Sequence, residues 1–327
     1  MDRVFVTGGT GFVGSHVVER LLDEGIEPLC LVRETSDTDH LDSLGVETFV
    51  GSLTHVEGLR PALEDVDGVV HIAGVIKAKD FDWFYEINAD ASGELAKLAL
   101  ETNPGLDRFV FISSVSAQGP SDGKTPRPVS RTPAPVSHYG RSKLAGEKQV
   151  LEFEDNLPVT IFRPPPVYGP RDYEMLAAFK MARRGINAVY GKGDSLLSVV
   201  YIDDLVDAIY RALTTDHESG SVFPIDDGQI HTWRSLTSDI GRAMGKDPLT
   251  VPVPTPLFHA AAHASEAWGK LVDKAMIFTT DKVAEMSQDS WICGCGDLED
   301  KLGWSPQWPL QRGAKHTAEW YIERGWI

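Results

Sequence analysis

The sequence predicts a doubly wound, mostly parallel α/β sheet, and three observations carry that prediction. Short, apolar, β-branched runs recur through the first half of the 327-residue chain. Stretches with helical apolar spacing separate them. A glycine-rich turn joins the first run to the first helix. Runs without polar alternation suit strands covered on both faces, which is the condition of a parallel sheet.

Residues 4–6 are the first strand. Residues 14–23 read as a helix, because Val17, Val18, Leu21 and Leu22 share a face and Gly25 stops it. Residues 29–32, 46–50, 69–72, 109–112 and 159–162 follow as strands between helical segments. Residues 198–213 read as a strand end entering a helix, and 222–225 as one more strand. Beyond Gly228 the pattern is mostly helical, punctuated by prolines at 248, 252, 254, 256, 306 and 309. The proline-rich segment 120–135 reads as a loop bordering the active cleft. The apolar stretch 256–271, with Leu257, Phe258, Ala261 and Trp268, has the composition of a pocket lid, but ordinary helix packing is the simpler reading.

Composition excludes several function classes. The chain is 42% hydrophobic, ample for a core, and carries a formal charge of −17, which would repel nucleic acid. No run of 18 apolar residues is uninterrupted, so no membrane span is predicted. The start of the chain reads as a strand running into a turn, without the basic and apolar regions of a secretory leader. Cys30, Cys293 and Cys295 lack the spacing of a metal or redox motif. The expectation is a reduced cytoplasmic protein with no metal.

The turn reads Thr-Gly-Gly-Thr-Gly-Phe-Val-Gly over residues 7–14. Its strand-turn-helix context gives the glycine pattern meaning: the backbone turns sharply, approaches a pyrophosphate and offers free N–H groups at a helix start. Gly8, Thr10, Gly11, Phe12, Val13 and Gly14 are therefore candidate dinucleotide contacts in a Rossmann-type sheet. Arg33 follows the second strand, 19 residues after Gly14. An acidic residue there would hold a ribose 2′-hydroxyl, whereas an arginine suits a 2′-phosphate. NADP is the expected cofactor ahead of NAD, with Glu34 as the residue that would favour NAD by turning inward.

Residues 139–143 read Tyr-Gly-Arg-Ser-Lys, placing Tyr139 and Lys143 at i and i+4 on one helix face. A free tyrosine titrates near 10, and a nearby ammonium would favour its phenolate. That spacing alone is commonplace. Further segments add specificity: His71-Ile72-Ala73-Gly74, Ser113-Ser114, Arg163-Pro164-Pro165-Pro166-Val167-Tyr168-Gly169-Pro170, Val200-Tyr201-Ile202-Asp203-Asp204, and Leu302-Gly303-Trp304 with Pro306. Together with the glycine turn, these resemble the extended short-chain dehydrogenase/reductase family over essentially the whole length. Within it the motifs are most similar to those of 3β-hydroxysteroid dehydrogenases and dihydroflavonol reductases.

The resemblance implies roles. Tyr139 is the general acid/base, Lys143 binds the nicotinamide ribose and lowers the Tyr139 pKa, and Ser114 hydrogen-bonds the substrate oxygen. Ser113 and Ser116 are rival hydroxyls. Asn88 supports the lysine. Ala73, Gly74, Pro166 and Val167 line the cofactor, and Ser52 and Leu53 stand beside the adenine, Ser52 where the family often has Asp. His71 is a structural strand-end residue. The implied organisation is a dinucleotide-binding domain of residues 1–165 and 195–225, with a smaller, mostly helical substrate region of 166–194 and 226–327. A homodimer through two long helices is also implied.

Departures from the family narrow the reaction. No carboxylate follows Ser114, which argues against sugar dehydration. Position 166 is proline where nucleotide-sugar enzymes usually carry an asparagine on the substrate diphosphate, and Leu197-Ser198-Val199 replaces their Arg-Asp-Phe. The preferred reading is hydride transfer between NADP(H) and the carbonyl or secondary alcohol of a small organic substrate. A nucleotide-sugar epimerase using Arg171, Arg183 or Arg184 for the diphosphate is the alternative. A non-catalytic NADP-binding regulator is the third reading.

Overall fold

The computed structural model describes residues 1–78, 80–276 and 278–327. Seven strands form the main sheet: β1 (Arg3–Thr7), β2 (Glu27–Val32), β3 (Glu47–Val50), β4 (Gly68–His71), β5 (Arg108–Ile112), β6 (Val159–Arg163) and β7 (Ser221–Pro224). Their spatial order is β7-β6-β5-β4-β1-β2-β3, and every pairing is parallel. β1 lies between β2 and β4, so the winding reverses there and a crevice opens beyond the strand ends.

The central strands are covered on both sides, as the apolar runs within them require, whereas the edge strand β3 stays partly exposed. Val4 and Val6 of β1 point into one core with α1 (Phe12–Asp23), whereas Phe5 points into the other with α2 (Ala91–Thr102) and with Val150 of α3 (His138–Leu151). The first core continues through α4 (Ile202–Thr214), whose Ile202, Leu205, Ile209 and Leu213 are buried at helical spacing.

The C-terminal third contains α5 (Trp233–Ala243), α6 (Thr255–Leu271), α7 (Thr280–Met286) and α8 (Leu310–Glu323). Two segments that resemble family motifs meet here. The Asp204 carboxylate accepts the backbone N–H groups of Gln307 and Trp308 at 3.0 and 2.9 Å, and the Trp304 indole donates to the Asp204 carbonyl at 3.0 Å.

Three expectations need correction. Residues 249–253, read only as part of a helical, proline-punctuated region, form a strand (Leu249–Val253) paired in parallel with Ile186–Tyr190. A two-stranded pair leaves one side of each strand unpaired, so Pro252 costs no ladder bond there. Residues 120–135 do not border the large cavity described below; the loop packs instead on Gln118, which donates to the Pro128 and Arg131 carbonyls, and on Ser290. Finally, α6 does not pack in the ordinary way: only its Ala262 and Gly269 are buried, while Leu257, Trp268 and Leu271 are 58%, 58% and 76% exposed.

Candidate active site

The crevice at the β1/β4 reversal widens into a cavity of about 1360 Å³. The candidate catalytic and cofactor-contact residues named in the sequence line it: Gly8, Thr10, Gly11, Phe12, Val13, Gly14, Arg33, Ser52, Leu53, Ala73, Gly74, Ser114, Tyr139, Lys143, Pro166 and Val167.

The glycine turn is built for close approach. Gly8 has φ +79°, and a Cβ there would stand 2.9 Å from the Ala73 nitrogen. A Cβ on Gly14 would stand 2.0 Å from the Gly8 carbonyl oxygen, so any side chain would force the turn open. Gly11 caps α1 without a side chain, which leaves the first N–H groups of a 12-residue helix free for an anion. These features fit the pyrophosphate of a dinucleotide. Beyond β2, Arg33 is exposed and lines the cavity with Ser36, whose hydroxyl accepts the Arg33 N–H at 3.0 Å; Glu34 does not line it.

Tyr139 and Lys143 lie on the first turns of α3. Ser137 caps that helix, accepting the Gly140 N–H at 2.9 Å. A second support comes from far along the chain. Asp281 of α7 accepts the N–H groups of His138 and Tyr139 at 2.7 and 3.3 Å, and the Ser137 hydroxyl donates to Glu285 at 2.7 Å. No local pattern in the sequence announces these carboxylates, which stand 142 and 148 positions from their partners.

The electrostatics of Tyr139 differ from expectation. Its phenol is held above the ordinary tyrosine range, first by burial and next by the Glu285 carboxylate, with a hydrogen bond from Ser114 acting in the opposite sense. Lys143 does not bring the phenol down; it donates to the Ile112 carbonyl at 2.7 Å and lies 4.4 Å from the centre of the Phe111 ring. Burial lowers Lys143 itself to about 8, against a raising influence from Glu147.

The neighbouring hydroxyls separate by geometry. Ser113 turns away and donates to Glu147 at 2.5 Å, where Glu147 also pairs with the buried Arg163. Ser114 faces Tyr139 and accepts the Ser116 N–H at 3.1 Å. Asn88 receives the Val75 N–H at 2.8 Å and donates to the Val75 carbonyl and the Ser142 hydroxyl, fixing the loop after β4 against α3 rather than touching Lys143 through a hydrogen bond. His71 is buried between Thr7 and Ser92, 2.7 and 2.9 Å away, and burial lowers its pKa to about 3. It is a neutral strut and has no access to solvent.

The far wall of the cavity is mixed. Trp83, Phe84, Trp233, Trp291, Met276 and Met286 provide apolar surface, and Asp172 stands among the carboxylates, its pKa raised to about 7 by burial. Among the described lining residues the sole arginine is Arg33. Arg171 is instead clamped to Glu19 by two contacts of 2.7 and 2.6 Å, and neither Arg183 nor Arg184 reaches the cavity. The three cysteines are free thiols, and among the described residues no group of His, Cys, Asp and Glu could hold a metal.

Residues 4–225 match the family described as the NAD dependent epimerase/dehydratase family. The chain belongs to that family. It is thereby an extended short-chain dehydrogenase/reductase, a group of enzymes whose members bind NAD(P). It is 28% identical to a ceramide reductase of Caulobacter vibrioides, with 99% of this chain and 96% of that one aligned. It is also 28% identical to a UDP-glucose 4-epimerase of Vibrio cholerae, over 98% and 95% of the two chains. The fold matches that of a UDP-glucose 4-epimerase from Thermotoga maritima with a TM-score of 0.79, 24% identity, and 98% and 99% of the chains covered.

Proposed function

We propose that the protein transfers hydride between NADP(H) and the carbonyl or secondary-alcohol carbon of an organic substrate, with Tyr139 as the general acid/base. The glycine turn and the N-terminus of α1 hold the pyrophosphate, Arg33 and Ser36 the 2′-phosphate, and Lys143 the nicotinamide ribose. The bound cofactor supplies the hydride or accepts it. In reduction, Ser114 donates a hydrogen bond to the carbonyl oxygen and Tyr139 gives that oxygen its proton; in oxidation both roles reverse. Residues 1–165 and 195–225 would form the cofactor-binding domain and residues 166–194 and 226–327 the substrate region, with Trp83 and Phe84 of the first reaching across to the substrate.

One observation carries the choice of reaction: among the described lining residues, none on the substrate wall is an arginine. A nucleotide sugar brings two phosphate charges into the site, which arginine forks pair in bidentate fashion, whereas the lysines lining this cavity besides Lys143, namely Lys77, Lys270, Lys274 and Lys282, offer point charges only. Here the three candidate arginines are clamped or remote, and position 166 is a proline. The aromatic and methionine surface beside Tyr139 suits a less polar substrate, as the similarity to a ceramide reductase also does. The equal identity to a UDP-glucose 4-epimerase makes epimerisation the second reading.

The test is to incubate purified protein with NADPH or NADH and a panel of ketones and aldehydes that includes long-chain 3-keto compounds, following reduced nicotinamide by absorbance. Parallel incubations contain UDP-sugars. Net oxidation of NADPH by a ketone supports the proposal, with NADH slower. Interconversion of UDP-sugars without net cofactor consumption would overturn it.

A further inference from the structure

Among the described residues, α6 is the least buried of the long helices. Leu257, Ala260, Ala261, Ala264, Trp268 and Leu271 recur at three- and four-residue intervals and all are exposed, so they form one apolar stripe along the outside. Between Thr255 and Gly269 the one Asp, Glu, Lys or Arg is Glu266. It faces inward, accepting the N–H and hydroxyl of Thr280 at 2.7 Å. In a chain that is 24% charged and carries a net −17, a helix whose solvent-facing side carries no Asp, Glu, Lys or Arg until Lys270 in its last turn is a marked departure.

We infer that α6 is a docking surface for a phospholipid bilayer, lying in the interfacial plane and presenting the cavity to the lipid. Three features favour that occupant. The stripe ends where the cavity begins: Gly269, Lys270, Asp273 and Lys274 line the cavity, and the last three are exposed. Second, the chemistry at that end is interfacial. An indole at Trp268 suits the boundary between acyl chains and headgroups, and Lys270 and Lys274 can lay their stems on lipid while the ammonium groups reach phosphate. Third, the stripe is too small for a stable dimer on its own. A helix of 17 residues is about 26 Å long and about 10 Å wide, or about 260 Å² per copy, against about 800 Å² per partner in a stable interface. Among the described residues no helix is long and apolar enough to cross a membrane, so α6 would lie on the surface. This inference goes beyond the hydride-transfer reading and does not depend on it.

The test is cosedimentation of the full-length protein with phosphatidylcholine vesicles, in low and high salt, beside the triple variant Leu257→Ser, Trp268→Ser, Leu271→Ser. None of these three side chains lines the cavity and all are exposed, so melting temperature and NADPH titration should match wild type and serve as folding controls. Wild type is expected to sediment with vesicles and to remain bound in high salt, as an apolar contact requires. The triple variant is expected to lose at least about tenfold in vesicle partition. Wild type that stays in the supernatant, salt that releases it, or a variant that sediments equally would each overturn the inference. So would a vesicle-free dimer that the triple variant dissociates, because the stripe would then belong to a second copy.

Discussion

Replacing Glu147 by leucine tests both the scaffold behind the site and the charge state within it. The Glu147 side chain is 1% exposed and that of its partner Arg163 6%. The carboxylate accepts from Arg163 Nε at 2.9 Å and Nη2 at 2.5 Å, and from Ser113. The two bonds from Arg163, at about 1.5–3 kcal/mol each, sum to about 3–6 kcal/mol before the third bond, from Ser113, is counted. That range agrees with the loss of about 3–5 kcal/mol expected when one member of a buried pair is removed and the other is left uncompensated. Urea unfolding should therefore show a loss of about 3–5 kcal/mol for Glu147→Leu. The double variant Glu147→Leu with Arg163→Met, which removes both charges, should regain most of it. A second readout is Lys143, one turn away, whose pKa of about 8 is raised by Glu147 against its burial. Without that carboxylate the ammonium loses its proton at lower pH, so the alkaline fall in NADPH affinity should move toward neutrality. A single variant that costs less than about 1 kcal/mol would refute the claim that this pair is buried and uncompensated.

The remaining predictions concern the cavity and its supports. Gly14→Ala places a methyl group 2.0 Å from the Gly8 carbonyl oxygen; fluorescence titration should show NADPH affinity reduced by about tenfold or more, and an unchanged affinity would contradict the close-packed turn. Arg33→Ala should weaken NADPH by about 1.5–3 kcal/mol while leaving NADH nearly untouched, measured as the two KM values; equal losses for both cofactors would remove the 2′-phosphate role. His71 is neutral in the folded state down to about pH 3, whereas unfolded histidine takes a proton near 6.5. The unfolded chain thus binds more protons between those values, and stability must fall as pH drops through that window. His71→Asn should flatten the slope of unfolding free energy against pH below 6.5, and an unaltered slope would show that His71 is not the group responsible.

The main sheet was legible because its signal is local. Each strand is four to six residues long and holds a short apolar run, and the glycines of the first turn report their own backbone requirement. The lining of the cavity beside the glycine turn was legible for the same reason: the turn, Arg33, and the Tyr139 and Lys143 spacing each sit on one continuous segment. What escaped was long-range. Asp281 and Glu285 reach the start of α3 from the opposite end of the chain, and nothing near residue 139 marks them. The direction of the Tyr139 shift escaped too, because it depends on desolvation and on Glu285 rather than on the lysine one turn along. The strand Leu249–Val253 was hidden by its prolines, which a sheet interior would reject but a two-stranded pair tolerates. In α6 apolar spacing suggested ordinary packing, yet spacing alone does not say which side of a helix faces the protein.

The fastening of α4 to residues 304–308 has a consequence for synthesis on the ribosome. The bond from the Trp304 indole to the Asp204 carbonyl spans 100 positions. At about 5–20 residues per second, α4 emerges about 5–20 s before the segment that closes over it. During that interval the nascent chain carries an incomplete layer, with the apolar surface that later meets Trp304 still uncovered. Translation that stalls in this stretch beyond β7 would therefore leave a completed sheet with one apolar face still open, and residues 304–308 act as the clasp that ends this exposure.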